Sequence, residues 1–342
     1  MSVTTIYDVA KRAKVSTAAV SAVMNKKNGQ VSPETRQRIL DVVRELDYRP
    51  NRAARQLKTG KSGTIAVVSE RVVDRGYSSP VLSQLISGIG DCAADGGLYV
   101  LLAPSGRKQD FAEMVMNMSS HGVDGAVVVG PLVISAIISA IENCGVPVVC
   151  IDSYTGFMKA STVDIDNYAG MKLGVEHLLS QGHRRITYFG HNPIFQCFTD
   201  RVRAFCDVVQ ASGLPLDHIG VRIVVTEYLG ASVEETLGSS DPPTAVVCEN
   251  LHFGEEAWEA ITNRGLRVPE DVAMLVFDGL TDGHPGAELV SYVRPDPYEQ
   301  GMVAAATLRK LIAGQLAPPL NVRLAPKVVL VPCPPRELAR LG

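Results

Sequence analysis

The chain has 342 residues, a formal net charge of −3 and 46% hydrophobic residues. This length is more than one hydrophobic core usually organises, so the sequence predicts at least two domains. No apolar run is long enough to span a bilayer and no signal-peptide pattern is present. These features exclude a membrane partner and favour a cytoplasmic protein.

The cysteines and histidines show no spacing that is typical of a metal site. There are seven of each, without a CxxC pair or a His-rich cluster. The cysteines are therefore predicted to be small buried side chains in a reducing compartment. No nucleophile and base can be paired from the sequence either, so we expect no metal, no cofactor, no catalytic residue and no enzyme activity.

The first 25 residues predict two short helices around a tight turn. Apolar residues recur three or four positions apart in segment 6–10 and again in segment 20–24, which is the spacing of one helix face. Lys14, Val15 and Ser16 interrupt the pattern. Two short helices around such a turn form a helix-turn-helix, whose second helix can enter a major groove.

The next segment predicts a third helix that closes a small core. Ser32 suits the N-cap and Pro33 suits the first helical position. Apolar residues at positions 39, 40, 43 and 46 form one stripe, and Pro50 ends the helix. Segment 51–58 is a short basic stretch that can form a helix, and a flexible joint follows it.

Charge is distributed unevenly between this head and the rest of the chain. Residues 1–62 contain 13 Lys/Arg and 5 Asp/Glu, a balance of +8, whereas the remaining 280 residues have a balance of −11. A basic head on an acidic body suits a protein whose head binds the phosphates of nucleic acid. The alternative is a solvated basic helical domain that has no binding partner.

From about residue 63 the sequence alternates buried apolar runs with helical patterns. The runs predict strands at 64–69, 98–103, 125–130, 147–152, 186–190, 223–226, 245–248 and 272–277. Continuous apolar runs of this kind indicate parallel sheets that are covered on both faces. About 280 residues favour two doubly wound lobes, with the chain crossing back near 292–296 and a last strand near 328–331 in the second lobe.

Polar residues stand where several predicted strands end, and open parallel sheets bind ligands beyond the carboxyl ends of their strands. Asp152, Asn250 and Asp278 each follow a buried run, and Arg201 begins a helix after the strand at 186–190. We expect these four side chains to bind a small polar ligand. The alternative for each is a helix cap or a salt bridge between the lobes.

At this point the residues resemble a known family. The segments DVAKRAKVSTAAVSAVMN, VSPETRQRIL, LDYRPNRAARQLKTGKSGTIAVV, DNYAGMKLGVEHLLSQGHRRI and GLRVPEDVAMLVFDG occur in this order over nearly the whole chain. Together they resemble the lac-repressor (LacI/GalR) family of bacterial transcription regulators. The resemblance implies an α/β fold, with an all-helical helix-turn-helix headpiece and a two-lobed body, like a periplasmic binding protein, of doubly wound parallel sheets.

The family's DNA contacts carry over by position. The resemblance implies that Thr17, Ala18 and Ala22 face base edges, although relatives commonly have Arg where this chain has Ala22. A Gly is common where this chain has Lys14. The full set of expected DNA-binding residues is Thr5, Tyr7, Ser16, Thr17, Ala18, Ser21, Ala22, Asn25, Arg52, Ala54 and Leu57.

The stretch after Pro50 matches the family's hinge helix, in which a Leu enters the minor groove. Leu57 occupies that position, and the alternative is that it packs on its own domain. A helix of seven or eight residues is marginal in water, so we expect it to form only with a second copy and DNA. In the body, the positions that match Arg201, Asn250 and Asp278 contact the effector in the family. Leu251 stands where relatives often have Asp, which weakens the case for an ordinary sugar.

We therefore predict a headpiece at 1–49, a hinge helix and linker at 50–62, and a regulatory domain at 63–342. Within that domain, lobe one covers about 63–160 and 293–322, and lobe two covers about 161–292 and 323–340. We predict a homodimeric transcription regulator that acts as a repressor. It is expected to bind a pseudo-palindromic operator in double-stranded DNA, under the control of a small-molecule effector. The alternatives are a small-molecule-binding module and a doubly wound enzyme, neither with specific DNA binding.

Overall fold

The computed structural model describes residues 4–24, 31–49, 56, 60–69, 80–104, 110–130, 134–153, 156–192, 195–215 and 218–333. Its contacts divide the chain into two compact units, Met1–Gly63 and Thr64–Gly342. The first unit is the helical headpiece and the second is the body.

The described part of the headpiece contains the three predicted helices, α1 (Ile6–Ala13), α2 (Thr17–Met24) and α3 (Pro33–Glu45). A capping box begins α1, since the Thr5 side chain accepts from the Asp8 backbone N–H and the Asp8 carboxylate accepts from the Thr5 backbone N–H. Ser32 caps α3 as expected, by accepting from the backbone N–H of Thr35. The stripes of all three helices meet in one core around Val9, Val20 and Ile39, which are fully buried.

The turn after α1 has a left-handed backbone. Lys14 has φ 53° and ψ 49°, and its backbone N–H donates to carbonyls of the last turn of α1. This conformation brings α2 back across α1, but a residue with a Cβ adopts it at a cost. The sequence pattern placed the break here, and the structure shows that the break is built on a conformation that glycine adopts more readily.

The first lobe of the body is a six-stranded sheet in which all described pairs are parallel. The strand order is β11-β5-β4-β3-β1-β2. The strands are β1 (Thr64–Ser69), β2 (Tyr99–Pro104), β3 (Gly125–Val129), β4 (Val148–Ile151), β5 (Ser161–Ile165) and β11 (Asn321–Leu324). The helices of this lobe are α4 (Pro80–Asp95), α5 (Phe111–Met116), α6 (Ser135–Asn143) and α11 (Pro297–Ile312).

Successive residues of the central strand β1 pack on opposite faces of this sheet. Ile65 and Val67 contact the cluster that includes α4 and α11, whereas Ala66 and Val68 contact the cluster that includes α5 and α6. The sheet is therefore covered on both sides, which explains the unbroken apolar run of β1. Helices α4 and α11 pack closely because Gly88 lies against the Tyr298 carbonyl, where a Cβ would clash.

The second lobe has the same plan. Its strand order is β12-β10-β9-β8-β6-β7, parallel except for β12, which runs antiparallel to β10. The strands are β6 (Ile186–Gly190), β7 (Ile219–Ile223), β8 (Ala245–Cys248), β9 (Ala273–Phe277), β10 (Ser291–Arg294) and β12 (Lys327–Val329). The helices are α7 (Asn167–Ser180), α8 (Gln196–Ala211), α9 (Leu229–Leu237) and α10 (Leu251–Asn263), with a 3-10 turn at Thr226–Tyr228.

Over the described residues, the chain passes between the lobes three times, after β5, after β10 and after β11. Two details differ from the expectation. Lobe one does not end near residue 160, because β5 (Ser161–Ile165) pairs with β4 and belongs to the first sheet. The strand expected at 223–226 lies instead at Ile219–Ile223, where it pairs with β6. In the described ranges, no helix combines the length and hydrophobicity that crossing a bilayer requires.

Candidate functional site

The two sheets direct several polar residues toward the region between the lobes. Asp152 follows β4 of the first lobe, while His191, Asn250 and Asp278 follow the carboxyl ends of β6, β8 and β9 in the second. These are the ends at which open parallel sheets bind ligands. In the fold, Asp152, Asn250 and Asp278 therefore lie at the carboxyl edge of their sheets, as the strand-end rule predicted from the sequence.

Arg201 is the centre of this group. Only 7% of the residue is exposed. Its Nε donates to Asn167 Oδ1 at 2.9 Å, and its Nη1 donates to the backbone carbonyl of Glu249 at 2.8 Å. Nη1 also lies 3.8 Å from a carboxylate oxygen of Asp278, and the guanidinium lies 3.6 Å over the Phe277 ring. Burial opposes the charge of Arg201, but Asp278 and other nearby acids outweigh it and raise its pKa.

The two aspartates lie at sharp backbone turns. Asp152 has φ 53° and Asp278 has φ 73°, a left-handed conformation that Asp tolerates better than most residues. Burial raises the pKa of both carboxyls, and the charge of Arg201 partly opposes that rise. Asp152 also accepts from Gln300 Nε2 at 3.4 Å. Both carboxyls are thus held near the Arg201 guanidinium, in a buried environment that disfavours their ionised forms.

Asn250 has a structural role as well as a position at the cleft. Its Oδ1 accepts from the Phe253 backbone N–H at 3.0 Å and so caps α10. Its amide nitrogen lies 3.4 Å from His191 Nδ1 and 3.5 Å from the Glu249 carboxylate. The helix-cap alternative is thus present here, and the amide still faces polar groups at the end of β6.

Glu249 and His191 are site residues that the sequence analysis missed. Glu249 is 1% exposed, and its carboxylate accepts from Tyr188 Oη at 3.1 Å, the His191 backbone N–H at 3.1 Å and His191 Nδ1 at 2.8 Å. The His191 ring also lies against Phe253, with ring centroids 4.3 Å apart. Both residues directly follow strands β8 and β6, so the same strand-end rule was capable of finding them.

The structure therefore groups the four expected residues. Arg201, Asn250 and Asp278 belong to the second lobe, and Asp152 of the first lobe is near enough to act on the charges of Arg201 and Asp278. The Arg201–Asp278 ion pair lies within one lobe rather than between the two. Beside the group is a cavity of about 250 Å³ lined from both lobes by Asp152, Ser153, Asp164, Ile165, Asp166, Asn167, Gln196, Cys197, Asp200, Arg203 and Arg323.

The chemistry of this region is that of binding through charge and hydrogen bonds. Arg201 offers a planar donor fork, and the carboxylates and Asn250 offer acceptors, which together suit a polar ligand. Within the described ranges, no three His, Cys, Asp or Glu side chains are grouped so that they could hold a metal ion. Six of the seven cysteines are buried and Cys206 is exposed; all seven are free thiols.

On the headpiece, the expected DNA-contact residues differ in exposure. Tyr7 is 73% exposed. Ser16 and Ala18 are exposed, while Thr17 and Ser21 are partly exposed. The hydroxyl of Ser16 accepts from the Ala19 backbone N–H and that of Thr5 caps α1.

Ala22 requires a correction. It is only 6% exposed, so its methyl group is buried and is not available to contact a base edge. Four further expected residues lie outside the described ranges: Asn25, Arg52, Ala54 and Leu57.

Comparisons with known proteins match both units. The family described as bacterial regulatory proteins, lacI family, matches residues 5–51, and a periplasmic binding protein-like domain matches residues 175–330. Catabolite control protein A of Priestia megaterium is 31% identical over 317 residues, which are 90% of this chain and 92% of that protein. The transcriptional repressor CytR of Escherichia coli is 28% identical over 319 residues, 91% of this chain and 90% of that one.

Solved structures agree on the fold. A complex of the transcriptional regulator CelR with cellobiose is 25% identical, with a TM-score of 0.70 over 96% of this chain and 98% of that one. The lac repressor dimer bound to operator and the anti-inducer ONPF has a TM-score of 0.83 over 98% and 100%, at 24% identity. The expected fold class, a helix-turn-helix head with a two-lobed body, is confirmed. Because a relative with 31% identity covers nine-tenths of the chain and the lacI model matches its headpiece, this chain belongs to the lacI family of bacterial regulatory proteins.

Proposed function

We propose that this chain is a sequence-specific transcriptional repressor whose affinity for an operator is set by a small polar effector bound between the two lobes. The observation that carries the proposal is the buried group around Arg201, in which Asp278 of one lobe and Asp152 of the other lie near the same guanidinium. A ligand that contacts both lobes favours one lobe arrangement, and DNA affinity changes if the headpieces respond to that arrangement.

The headpiece supplies the DNA contacts in this proposal. Thr17 and Ala18 on α2 face the bases, whereas Ala22 supports the helix from within. The phosphates are held by Thr5, Tyr7, Ser16, Ser21 and Asn25. Arg52, Ala54 and Leu57 belong to the hinge, which enters the minor groove. The net charge of +8 in residues 1–62 supports a phosphate-binding surface, and a relative in the fold comparison is the lac repressor bound to operator.

We propose a homodimer, because both sheets of the body end in edge strands that expose apolar side chains. Tyr99 and Leu101 on β2 are 55% and 45% exposed, and Val221 and Ile223 on β7 are 40% and 47% exposed. Exposed apolar edge strands are aggregation-prone unless another surface covers them. A second copy covers both edges and presents two headpieces to a pseudo-palindromic site.

The protein acts where bacterial DNA is, in the cytoplasm, and it binds its effector without converting it. Two relatives support this part of the proposal, the transcriptional regulator CelR of Thermobifida fusca and the transcriptional repressor CytR of Escherichia coli.

Selection of genomic fragments tests the DNA-binding part of the proposal. The full-length protein is incubated with sheared DNA from the source genome, and the bound fragments are sequenced. We expect one pseudo-palindromic site in the recovered fragments. Ala18→Asp, which adds a negative charge to the exposed face of α2, should abolish recovery, while Ala317→Asp adds the same charge at an exposed position of the body and should not. Recovery of no common site favours a small-molecule-binding module.

The effector part is tested on the selected fragment. Operator affinity is measured with a panel of sugars, nucleosides and amines, in the wild type and in Asp278→Asn. A compound that changes the affinity of the wild type tenfold but not that of the variant supports the cleft as its site. Asp282→Asn is the control, because the Asp282 side chain is 91% exposed. Consumption of a compound during the assay indicates an enzyme instead.

A further inference from the structure

The cavity between the lobes has an acidic wall where β5 passes into α7. Asp164 lies in β5 and is 7% exposed, and Ser153 follows β4 and is 3% exposed. Asp152, Asp164, Asp166 and Asp200 all line the cavity. Asp166 already caps α7 by accepting from the Ala169 backbone N–H. The acids of the wall therefore differ in the hydrogen bonds that they already accept.

Two buried atoms in this wall have no hydrogen-bond partner. Oδ1 of Asp164 accepts from the Ser153 backbone N–H at 3.0 Å, but its Oδ2 has no partner, and neither has Oγ of Ser153. Among the described residues these are the two buried side-chain atoms in that situation. Buried polar atoms in native proteins are nearly always satisfied, so each exception calls for an explanation, such as a partner that the protein itself does not supply. Both exceptions here belong to residues that line the same cavity.

The charges around Asp164 leave an excess of carboxylate. Arg201 is the only Arg or Lys among the described residues to be buried, and Asp278, Asn167 and the Glu249 carbonyl already engage it.

Two other basic residues line the cavity, and both are exposed. On α8, Arg203 pairs with Asp200 at 3.1 Å. Arg323 on β11 also lines the cavity, and it is an exposed residue that lies opposite Asp164 in the pairing of β11 with β5. Among nearby charges, that of Asp152 has the largest effect on the Asp164 carboxyl, and it acts on Asp278 as well. The position beside Asp152 and Asp164 is therefore one where a positive charge is stabilised by two acids.

The raised pKa of Asp164 agrees with this arrangement. Burial, followed by the negative charge of Asp152, raises the pKa of Asp164 to about 7, against the pull of the hydrogen bond from the Ser153 backbone N–H. Near neutral pH the carboxyl is therefore poised between its two forms. A cation placed beside it favours the ionised form.

We propose that this wall binds the protonated amine of an organic cation, with Asp164 Oδ2, Asp152 and Ser153 Oγ accepting its N–H groups. An ammonium group has three donors and no acceptor, which matches three acceptors in one place. A metal ion does not fit, because no metal-binding group is present in the described ranges. The inference deepens the proposed function, on which it rests, by assigning an amine to the effector of the inter-lobe cleft.

Binding of simple amines to the full-length protein without DNA tests the proposal. The probes are 1,4-diaminobutane and spermidine, with 1,4-butanediol as the neutral counterpart of the first. Calorimetric titration should show binding of the amines and none of the diol at the same concentration. Asp164→Asn should weaken amine binding at least tenfold, and Ser153→Ala should weaken it to a smaller extent. Asp95→Asn removes one carboxylate at an exposed position of α4 and should bind like the wild type.

The pH dependence gives a second readout. A proton and the ammonium group compete for Asp164, so amine affinity should rise from pH 6 to pH 8 and approach a tenfold change per pH unit below pH 7. The aliphatic amine stays protonated over this range. Asp164→Asn should flatten this rise, and a cooperative urea-unfolding transition of its body shows that the variant is folded.

Equal binding of amine and diol, failure of the amines to bind, or wild-type affinity and pH dependence in Asp164→Asn would overturn the proposal. Operator selection uses no amine, so loss of this inference leaves the proposed DNA-binding function standing. Conversely, amine binding by a protein that selects no operator would reject the repressor and keep the amine site.

Discussion

Asp164→Asn should stabilise the body, and the gain should grow with pH. The folded-state pKa of Asp164 is about 7, against an ordinary value of 3.8, with burial as the main cause. The folded state therefore retains a proton that the unfolded state loses, so the wild type loses stability as pH rises from about 4 to 7. Asn keeps the shape of the side chain without the charge. The difference between the two pKa values corresponds to about 4 kcal/mol above pH 7, and to less than half of that at pH 5.

Urea unfolding of the full-length protein at pH 5, 6, 7 and 8 measures this difference, with the transition of the body followed separately from that of the headpiece. Asp95→Asn is the control, because it removes an exposed carboxylate from the same lobe. The stability advantage of Asp164→Asn over the wild type should widen between pH 5 and pH 7 and then level off. A constant advantage, or one that narrows with pH, would show that burial does not hold the proton on Asp164.

Three further predictions follow from the structure. Lys14→Gly should stabilise the headpiece by about 1 kcal/mol, because the backbone φ at this position is 53°. Lys11→Gly, inside α1, should destabilise the headpiece by a similar amount, and thermal unfolding of the full chain measures both changes in stability. Ala18→Arg should change the preferred half-site without loss of stability, but Ala22→Arg should cost about 1–3 kcal/mol of headpiece stability, and equal stability of the two would mean that Ala22 is not buried. Arg201→Met should destabilise the body by about 3–5 kcal/mol in urea unfolding, since it leaves the Asp278 carboxylate, Asn167 Oδ1 and the Glu249 carbonyl without their partner. A loss of stability below about 1 kcal/mol would contradict the described contacts.

The elements that sequence patterns predicted well are those whose signal is local. The strands Ile186–Gly190 and Ala245–Cys248 have the predicted bounds, because each is a short run buried on both faces. The headpiece helices carry their own caps at Thr5 and Ser32, within a few residues of the stripes that define them. In these cases the same short segment contains both the apolar pattern and the residues that end it.

The strand β5 was missed because its signal is not local. Thr162 and Asp164 are polar but buried, so the segment does not read as an apolar run. Thr162 donates to Asn321 Oδ1, which is 159 positions away, and Asp164 accepts from the Ser153 backbone N–H. Only tertiary pairing makes these side chains acceptable in a sheet, and no pattern within the segment could reveal it.

The candidate site shows the same division. Position after a strand was enough to nominate Asp152, Asn250 and Asp278. It did not indicate that Arg201 is buried by contacts from three other elements, which makes it a structural residue of the second lobe as well as a candidate ligand contact. The burial of Glu249 likewise depends on hydroxyl and imidazole donors that the fold brings to it.

The most direct test of the account is the affinity of the full-length protein for its selected genomic fragment, relative to a scrambled fragment of the same length, measured over a range of salt concentrations. We predict a ratio of at least about 10³, a footprint with twofold symmetry, and an affinity that falls steeply with salt. A ratio near one at every salt concentration, with binding that depends on salt alone, would contradict the claim that this chain is a sequence-specific regulator.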